Sequence, residues 1–134
     1  MGQLGWGSFT ARAVARVGRL MRWRGEWQGQ PLLDPDAVAA ALHHAGTPLP
    51  DRAREPHAPA PGLVWYTNQD GVWPDVPRDA FAGAGAGHQL LLVVPSLDLI
   101  LVRQGGALSP RGAPGFWTAA YEYVFRPTVT ALRG

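Results

Sequence analysis

Two short apolar runs separated by a turn constrain the fold of this chain more than any other feature. The runs are Leu90–Val94 and Leu99–Val102, and Pro95–Asp98 lies between them. Valine and isoleucine favour strands, proline fixes φ for a turn, and aspartate can bond its own backbone. Neither run alternates with polar residues, which is typical of strands buried on both faces. We therefore expect a hairpin of two central strands with helices packed on both sides.

Glycines alternate with small residues immediately before this hairpin. Gly83, Gly85 and Gly87 leave the segment almost without side chains. Glycine within strand-like sequence often marks a bulge or a place where a ligand approaches the main chain. The segment is therefore either a flexible Gly/Ala loop or a strip of backbone whose N–H groups face a substrate oxygen.

Composition limits the chemistry that the chain can perform. Its 134 residues make one domain, and an apolar content of 46% is that of a globular protein. The absence of cysteine excludes disulfides, thiolate chemistry and cysteine-based zinc sites. All 12 cationic side chains are arginine, so no lysine is available as a base or nucleophile.

The arginines near the start of the chain do not indicate a nucleic-acid partner. Their spacing of three to four residues places most of them on one helix face, which is typical of a solvated surface. No basic-aromatic platform accompanies them. No apolar run reaches membrane-spanning length, and no signal-peptide pattern is present, so neither nucleic acid nor membrane is expected as a partner. The arginines are Arg12, Arg16, Arg19, Arg22 and Arg24.

Residues 10–46 are predicted to form two helices joined by a turn. Thr10 has the N-cap position of a helix from Ala11 to about Arg24. Asp34 caps the second helix, with proline at its first position, and Gly46 is expected to stop it. The apolar stripes are Val14, Val17, Leu20 and Met21 in the first helix, and Ala37, Val38, Ala41 and Leu42 in the second.

The rest of the chain is predicted to supply the sheet and a last helix. Residues 47–61 form a proline-rich loop without regular structure, and residues 62–103 contain the strands, beginning with Gly62–Asn68. A C-terminal helix over residues 115–126 should end at Pro127 and bury its aromatic face. The predicted class is α+β, an antiparallel sheet with flanking helices.

The glycine-rich segment and its hairpin resemble the third motif of the penicillin-recognising serine hydrolases. This superfamily includes class C β-lactamases, related esterases and aminohexanoate-oligomer hydrolases. The resemblance is to the branch with Ser-Gly-x-Gly-Gly-Gln in place of Lys-Thr-Gly. Gly7–Arg12, Gly25–Gly29 and Leu32–Val38 resemble the helix–turn–helix before that motif. The resemblance implies that residues 1–134 are the C-terminal part of a β-lactamase/transpeptidase-like fold.

The resemblance also implies an oxyanion site. Aligning Gln89 and Pro95 with the family places Gly83-Ala84-Gly85 on Lys-Thr-Gly. Ala86 then takes the position whose backbone N–H is one of two oxyanion-hole donors. A main-chain donor tolerates any small side chain, and such a donor lowers a barrier by roughly 3 kcal/mol. The expected cleft strip is Gly83, Ala84, Gly85, Gly87 and Gln89.

We make separate predictions for His88 and Gln89, two residues that follow Ala86. His88 stands where the family usually has glycine, so it is either an acid or base in the cleft or a structural turn residue. Gln89 is expected to tether the turn through its side-chain amide.

The family's nucleophile is missing. Its members acylate the serine of a Ser-x-x-Lys motif, and this chain has no lysine. Ser8, Ser96 and Ser109 lie in predicted loops or turns with no base at a recognisable spacing. Tyr66-Thr67-Asn68 matches the family's Tyr-x-Asn motif, but it follows the helix–turn–helix unit instead of preceding it. We therefore expect Tyr66 to be structural.

No metal or other cofactor is expected. His43 and His44 are predicted to end the second helix, where cationic imidazole complements the helix dipole. Adjacent helical residues point about 100° apart, so the pair cannot chelate one ion, and His57 lies in a distant loop. The acids Asp70, Asp75, Asp79 and Asp98 lie in predicted turns and form no recognisable catalytic couple.

Three functional hypotheses follow. In the first, the chain is part of a serine hydrolase, its partners being a small ester or amide substrate and the missing N-terminal part of the same domain. That hypothesis predicts no turnover by the chain alone and poor folding through open sheet edges. In the second, the chain is a binding module whose Trp-rich surface takes a small molecule or a protein. In the third, it is a self-sufficient hydrolase that uses His88 and a loop serine.

Overall fold

A five-stranded antiparallel sheet organises the molecule, in the order β3-β4-β5-β6-β7. The computed structural model describes residues 9–109 and 114–134. Mixed helix and antiparallel sheet confirm the α+β class. The elements are α1 (Ala11–Arg22), β1 (Glu26–Trp27), β2 (Gln30–Pro31), α2 (Pro35–Leu42), β3 (Ala60–Pro61), β4 (Tyr66–Thr67), β5 (Phe81–Gly85), β6 (Gln89–Val94), β7 (Leu99–Arg103), α3 (Phe116–Ala120), a π-helical turn (Tyr121–Phe125) and α4 (Arg126–Arg133).

The predicted hairpin is confirmed, but only β6 is a central strand: β7 is the outermost strand on its side of the described sheet and is half buried, so the prediction of two central strands is wrong for β7. Strands β6 and β7 pair from Leu90 opposite Arg103 to Val94 opposite Leu99. Pro95 opens a single turn of 3₁₀ helix between them, and Asp98 closes it in the left-handed conformation, with φ 51° and ψ 35°. Aspartate tolerates that region better than most residues because its short side chain bonds locally.

Helices cover both faces of this hairpin, as expected for strands without polar alternation. On one face the side chains of β6 pack in a cluster with the C-terminal helix, which contributes Tyr121, Phe125 and Val129. On the other face Leu91 and Val93 pack with Met21 of α1 and Val38 of α2. The two faces of one buried strand therefore belong to two separate core clusters.

Helix α1 has the predicted cap but a different buried face. Thr10 Oγ1 accepts from the Ala13 N–H at 3.1 Å, which confirms the N-cap. Val17, assigned to the apolar stripe, is 49% exposed, and Gly18 is buried in its place. A Cβ at Gly18 would lie 3.0 Å from Leu91 Cδ1, so glycine lets the helix approach the sheet closely.

Helix α2 starts as predicted and ends early. Asp34 Oδ1 accepts from the Asp36 N–H at 2.8 Å, and proline follows at the first helical position. The helix ends at Leu42, and His43 is extended, with φ −92° and ψ 158°. The prediction that His43 and His44 end the helix on its last turn is therefore wrong. The chain leaves the helix early because the Ala45 N–H bonds the Pro61 carbonyl and the His44 N–H bonds Gln69 Oε1.

The C-terminal helix passes through Pro127, so the predicted end there is wrong. α3, the π-helical turn and α4 form one continuous helix from Phe116 to Arg133. The Arg126 N–H bonds the Tyr121 carbonyl five residues earlier. In a regular helix the proline ring would collide with the carbonyl four residues earlier. The wider π-helical turn directly before Pro127 makes room for the ring. The aromatic face is buried as predicted.

The predicted strand over Gly62–Asn68 is mostly a turn. Only Tyr66–Thr67 is a strand, and the Gly62 N–H bonds the Trp65 carbonyl at 2.6 Å. This turn reverses the chain between β3 and β4, and it leaves Leu63 and Val64 exposed at its tip. Strand β3 is formed by the last two residues of the proline-rich segment, where no regular structure was expected.

Some predictions fall on residues that the structure does not describe. The glycine-rich opening segment with Trp6 and Ser8 lies outside the described residues, as does the stretch 110–113. Among the described residues, every helix is too short or too polar to traverse a bilayer.

Candidate functional site

The glycine-rich segment is a strand and a short hairpin loop. Gly83 pairs with Leu91 and Gly85 with Gln89, so β5 includes the first three residues of the predicted strip and ends at Gly85. On the other side of β5, strand β4 pairs only with Phe81 and Ala82. Within the described residues, β5 from Gly83 onward therefore has a strand partner on one side only. The exposed residues of this region are Ala84, Gly85, Ala86 and Gly87.

The loop reverses the chain with two consecutive left-handed residues. Gly87 has φ +75° and His88 has φ +61°. Glycine adopts this region without steric cost, whereas a histidine there stores conformational strain. A residue in such a conformation persists when its surroundings fix it. Contacts from Gln89, Arg103, Leu108 and Phe116 fix this loop.

Gln89 tethers the loop through its amide, as predicted. Its Nε2 donates to the Gly87 carbonyl at 3.1 Å and to the Gly105 carbonyl at 2.5 Å. The Gly105 N–H donates to Gln89 Oε1 at 3.1 Å. The side chain therefore connects the loop to the chain segment after β7.

Arg103 is a second tether, which sequence reasoning missed. Its Nη1 donates to the His88 carbonyl at 2.9 Å and to the Gly87 carbonyl at 3.4 Å. Its Nη2 donates to the Gly106 carbonyl at 2.5 Å. Arg103 closes the β6–β7 register opposite Leu90, and only that register brings it beside the loop. The loop is thus held through the carbonyls of Gly87 and His88, which accept hydrogen bonds from Gln89 and Arg103.

The His88 side chain packs against Phe116 and Leu108. Its ring stacks on Phe116 with centroids 4.7 Å apart and planes 6° apart. Nδ1 accepts from the Leu108 N–H at 3.3 Å, which places the ring proton on Nε2. Burial, and secondly the Arg103 guanidinium, lower the pKa of His88, so its ring is neutral. Nε2 is buried without a partner among the described residues, so an acid or base role for His88 requires the loop to open.

A row of aromatic rings leads away from the loop on the helix side. Phe116 contacts Trp117 edge-on at 5.1 Å, and Trp117 contacts Tyr66 at 4.8 Å. Beyond Tyr66 lies a cavity of about 360 Å³. Its walls are prolines of the 47–61 segment together with Asp51, Glu55, Tyr66 and Trp117. The row of aromatic rings therefore connects the loop to this cavity, whose wall of prolines, Tyr66 and Trp117 has space for the apolar part of a small molecule.

The Tyr-x-Asn residues have scaffold contacts. Asn68 is fully buried, and its Nδ2 donates to the Val76 carbonyl at 2.9 Å and to the Trp73 carbonyl at 3.2 Å. Its Oδ1 accepts from the Trp73 N–H at 2.8 Å. Asn68 therefore fixes the irregular connection before β5. Tyr66 is half-buried against Trp117. Burial and the hydrogen bond to Asp75 raise the pKa of Tyr121 to about 12.

The described serines and histidines form no catalytic couple. Ser96 Oγ donates to Asp79 Oδ1 at 2.9 Å, and its N–H donates to Oδ2 at 2.7 Å, which is a turn contact. His57 stacks on Tyr121 and lies 3.2 Å from Thr118 Oγ1. Within residues 9–109 and 114–134, no three histidine or acidic side chains are grouped so as to hold a metal ion.

Comparison with known proteins gives no family assignment: no family model and no curated protein matches this chain. A functional hypothesis therefore rests on the order of the motifs in the sequence and on the geometry around Ala86.

Proposed function

We propose that this chain is the C-terminal portion of a β-lactamase-related serine hydrolase that cleaves ester, amide or β-lactam bonds through an acyl-serine intermediate. The observation that carries the proposal is the hairpin loop at Ala86. The loop is exposed, has small side chains, and is held in place by Gln89 and Arg103. The sequence resemblance, aligned on Gln89 and Pro95, supports the proposal because it assigns Ala86 to the position of the family's backbone oxyanion donor.

The proposed role of the loop is electrostatic. Attack on an ester or amide carbonyl develops negative charge on its oxygen, and a fixed backbone N–H stabilises that charge without reorganising. One such donor contributes roughly 3 kcal/mol, a factor of a hundred or more in rate. The amide and guanidinium tethers supply the rigidity that this role needs, because a mobile donor would lose entropy on each turnover.

The reaction needs groups that this chain does not contain. Without lysine there is no Ser-x-x-Lys pair, and the hydroxyl of Ser96 is bound to Asp79. The nucleophile, its base and the relay tyrosine would come from the N-terminal part of the same domain. Strand β7 is compatible with such a partner: it is the outermost strand on its side of the described sheet and is only half buried. A catalytic set without its nucleophile retains at most weak binding, so the chain alone is expected to be inactive.

The direct test is to read the coding sequence immediately upstream of the Met1 codon. The proposal expects an open frame that continues back through Tyr-x-Asn and Ser-x-x-Lys. An in-frame stop directly before Met1 would contradict it.

An activity assay separates the two enzymatic hypotheses. Under the proposal, the 134-residue chain does not hydrolyse p-nitrophenyl acetate or nitrocefin above the background rate. Turnover that disappears in His88→Ala would favour a self-sufficient hydrolase, and it would require the Leu108 N–H to release Nδ1.

The cavity beside Tyr66 favours one alternative, a non-catalytic binding module. A space of about 360 Å³ lined by Tyr66, Trp117 and prolines could hold a small apolar ligand. Trp65 is less suited to bind a ligand, because its ring already packs edge-on against Phe81. The ring also lies 3.5 Å from the point where a Cβ would stand at Gly83. The alternative predicts saturable binding that is lost in Tyr66→Ala and kept in Ala86→Pro.

A further inference from the structure

A second cavity lies at the far end of strand β5 from the Ala86 loop. Its volume is about 420 Å³, and it is bounded by the C-terminal ends of α1 and α2 and by the segment that leads into β5. Met21, Leu42 and Phe81 form an apolar wall. Because it adjoins the start of β5, whereas the proposed oxyanion donor follows its end, it is a separate site.

The polar lining of this cavity is predominantly cationic. Three arginines, Arg22, Arg24 and Arg78, line it together with one acidic residue, Asp79. Both oxygens of Asp79 already accept hydrogen bonds from Ser96, at 2.7 and 2.9 Å. These two bonds occupy about half of the acceptor sites of the carboxylate, and the single negative charge of Asp79 is outnumbered by the three arginines.

The arginines themselves are incompletely paired. Arg22 reaches the exposed Asp98 with one Nη2 contact of 3.0 Å, and its Nε is buried without an acceptor in the described part of the chain. Arg78 donates to a neutral group, the Gln69 carbonyl, at 3.3 Å. Arg24 is exposed and forms no ion pair with any described residue. A guanidinium presents five donors, so donor capacity remains at all three residues.

His43 adds a neutral hydrogen-bond donor to the arginines that line the cavity. Gln69 Oε1 accepts from the His44 N–H at 3.1 Å, which orients its amide so that Nε2 donates to His43 Nδ1 at 3.0 Å. That contact places the proton of a neutral His43 on Nε2, where it can be donated. His43 and Gln69 both line the cavity.

We infer that this cavity binds the carboxylate or phosphate group of a small molecule that has an apolar body. Planar guanidinium groups bind both oxyanions through paired hydrogen bonds, and the ligand's charge would balance the excess of arginine. The Met21, Leu42 and Phe81 wall accounts for the apolar body. The inference is independent of the proposed hydrolase activity, because it uses none of the residues around Ala86.

Calorimetric titration of the full chain tests this inference, with benzoate and phenyl phosphate as separate probes in low-salt buffer. Saturable binding of at least one probe is expected, and the tighter of the two identifies the preferred oxyanion. Arg24→Gln and Arg78→Gln should each weaken that binding by about tenfold, the loss of one charge-assisted contact. Arg16→Gln is the matched control, because Arg16 is an exposed arginine of α1 that does not line the cavity.

Two results would overturn the inference: no saturable binding of either probe, or equal weakening by Arg16→Gln and Arg24→Gln, which is the behaviour of a diffuse positive surface. Arg24 is exposed and unpaired with described acids, so circular dichroism should show its variant folded. Ala86→Pro should bind the probe like the parent chain, so failure of the hydrolase proposal would leave this result unchanged.

Discussion

The two turns at the ends of strand β6 are held through different groups. The Pro95–Asp98 turn contributes side chains of its own to contacts with other segments: Ser96 bonds Asp79, and Asp98, which lies in the left-handed region, pairs with Arg22. The loop before Gln89 is held mainly through its backbone carbonyls, which accept hydrogen bonds from Gln89 and Arg103, and His88 is its one large side chain.

The difference indicates what each turn is suited to do. A turn that uses its own side chains covers its backbone and has only to reverse the chain. A loop that is tethered from outside keeps its backbone exposed and rigid at once, which is the combination that a backbone oxyanion donor requires. Removing the tethers one at a time tests whether the loop depends on them.

The largest effect is expected from Arg103→Met. The substitution removes three charge-assisted contacts to the carbonyls of Gly87, His88 and Gly106. We expect the free energy of unfolding in urea to fall by about 2 to 3 kcal/mol. Arg126→Met is the control, because Arg126 pairs with Glu122 on the surface and should cost less than about 1 kcal/mol. Equal losses in the two variants would contradict the tether.

Gln89→Ala should have a smaller effect. It removes two donated bonds and one accepted bond at a partly exposed position, and we expect a loss of about 1 to 2 kcal/mol. Amide hydrogen exchange should accelerate at Leu108, whose N–H is bonded to His88 Nδ1 in the loop. Gln104→Ala is the control, since Gln104 bonds only the Phe9 carbonyl among the described residues. Unchanged exchange in Gln89→Ala would show that the loop does not need this tether.

Asp79→Ala tests the other turn. Loss of the two bonds to Ser96 should cost about 1 kcal/mol, because the carboxylate is exposed and water replaces part of what is lost. Exchange should accelerate at Ser96, whose N–H bonds Asp79, and stay unchanged at Leu108, whose N–H bonds His88 of the loop. Acceleration at both ends of β6 would mean that the two turns are not independent.

The smallest effect is a pH dependence that comes from His88. Its folded-state pKa lies below the usual 6.5, so the neutral ring stabilises the fold fully above that value. That stability is lost as the pH falls from 6.5 through the lower folded pKa, where protonation competes with the Leu108 N–H for Nδ1. His88→Asn keeps a residue that tolerates positive φ and removes the titration. Its melting temperature should fall less between pH 7 and 5 than that of the parent, and parallel curves would contradict the assignment.

Local signals in the sequence predicted much of the fold. The β6–β7 hairpin, the Thr10 and Asp34 caps and the Gln89 tether depend on apolar runs or on residues close in sequence. Gly18 was missed because its burial depends on how closely α1 approaches Leu91 and Val93, which a periodicity does not contain. Pro127 was taken as a stop because a π-helical turn has no clear local signature.

Long-range contacts account for most of what sequence reasoning missed at the site. Arg103 reaches the loop through the β6–β7 register, and the packing of His88 depends on Phe116 and Leu108. In the second cavity Arg78 comes from a distant part of the sequence to join Arg22 and Arg24, two arginines that the sequence pattern predicts on a solvated helix face. A glycine-rich strip predicts a bare backbone but does not say which side chains hold it.

The measurement that tests the central claim most directly compares Ala86→Pro with Ala86→Ser in the longer hydrolase that the proposal expects. Proline removes the backbone N–H of residue 86, whereas serine keeps it and the small side chain. We expect kcat for an ester substrate to fall by about a hundredfold or more in Ala86→Pro and to stay within a few fold in Ala86→Ser. Equal kcat values in two variants that unfold like the parent would contradict the claim that the Ala86 N–H stabilises the oxyanion.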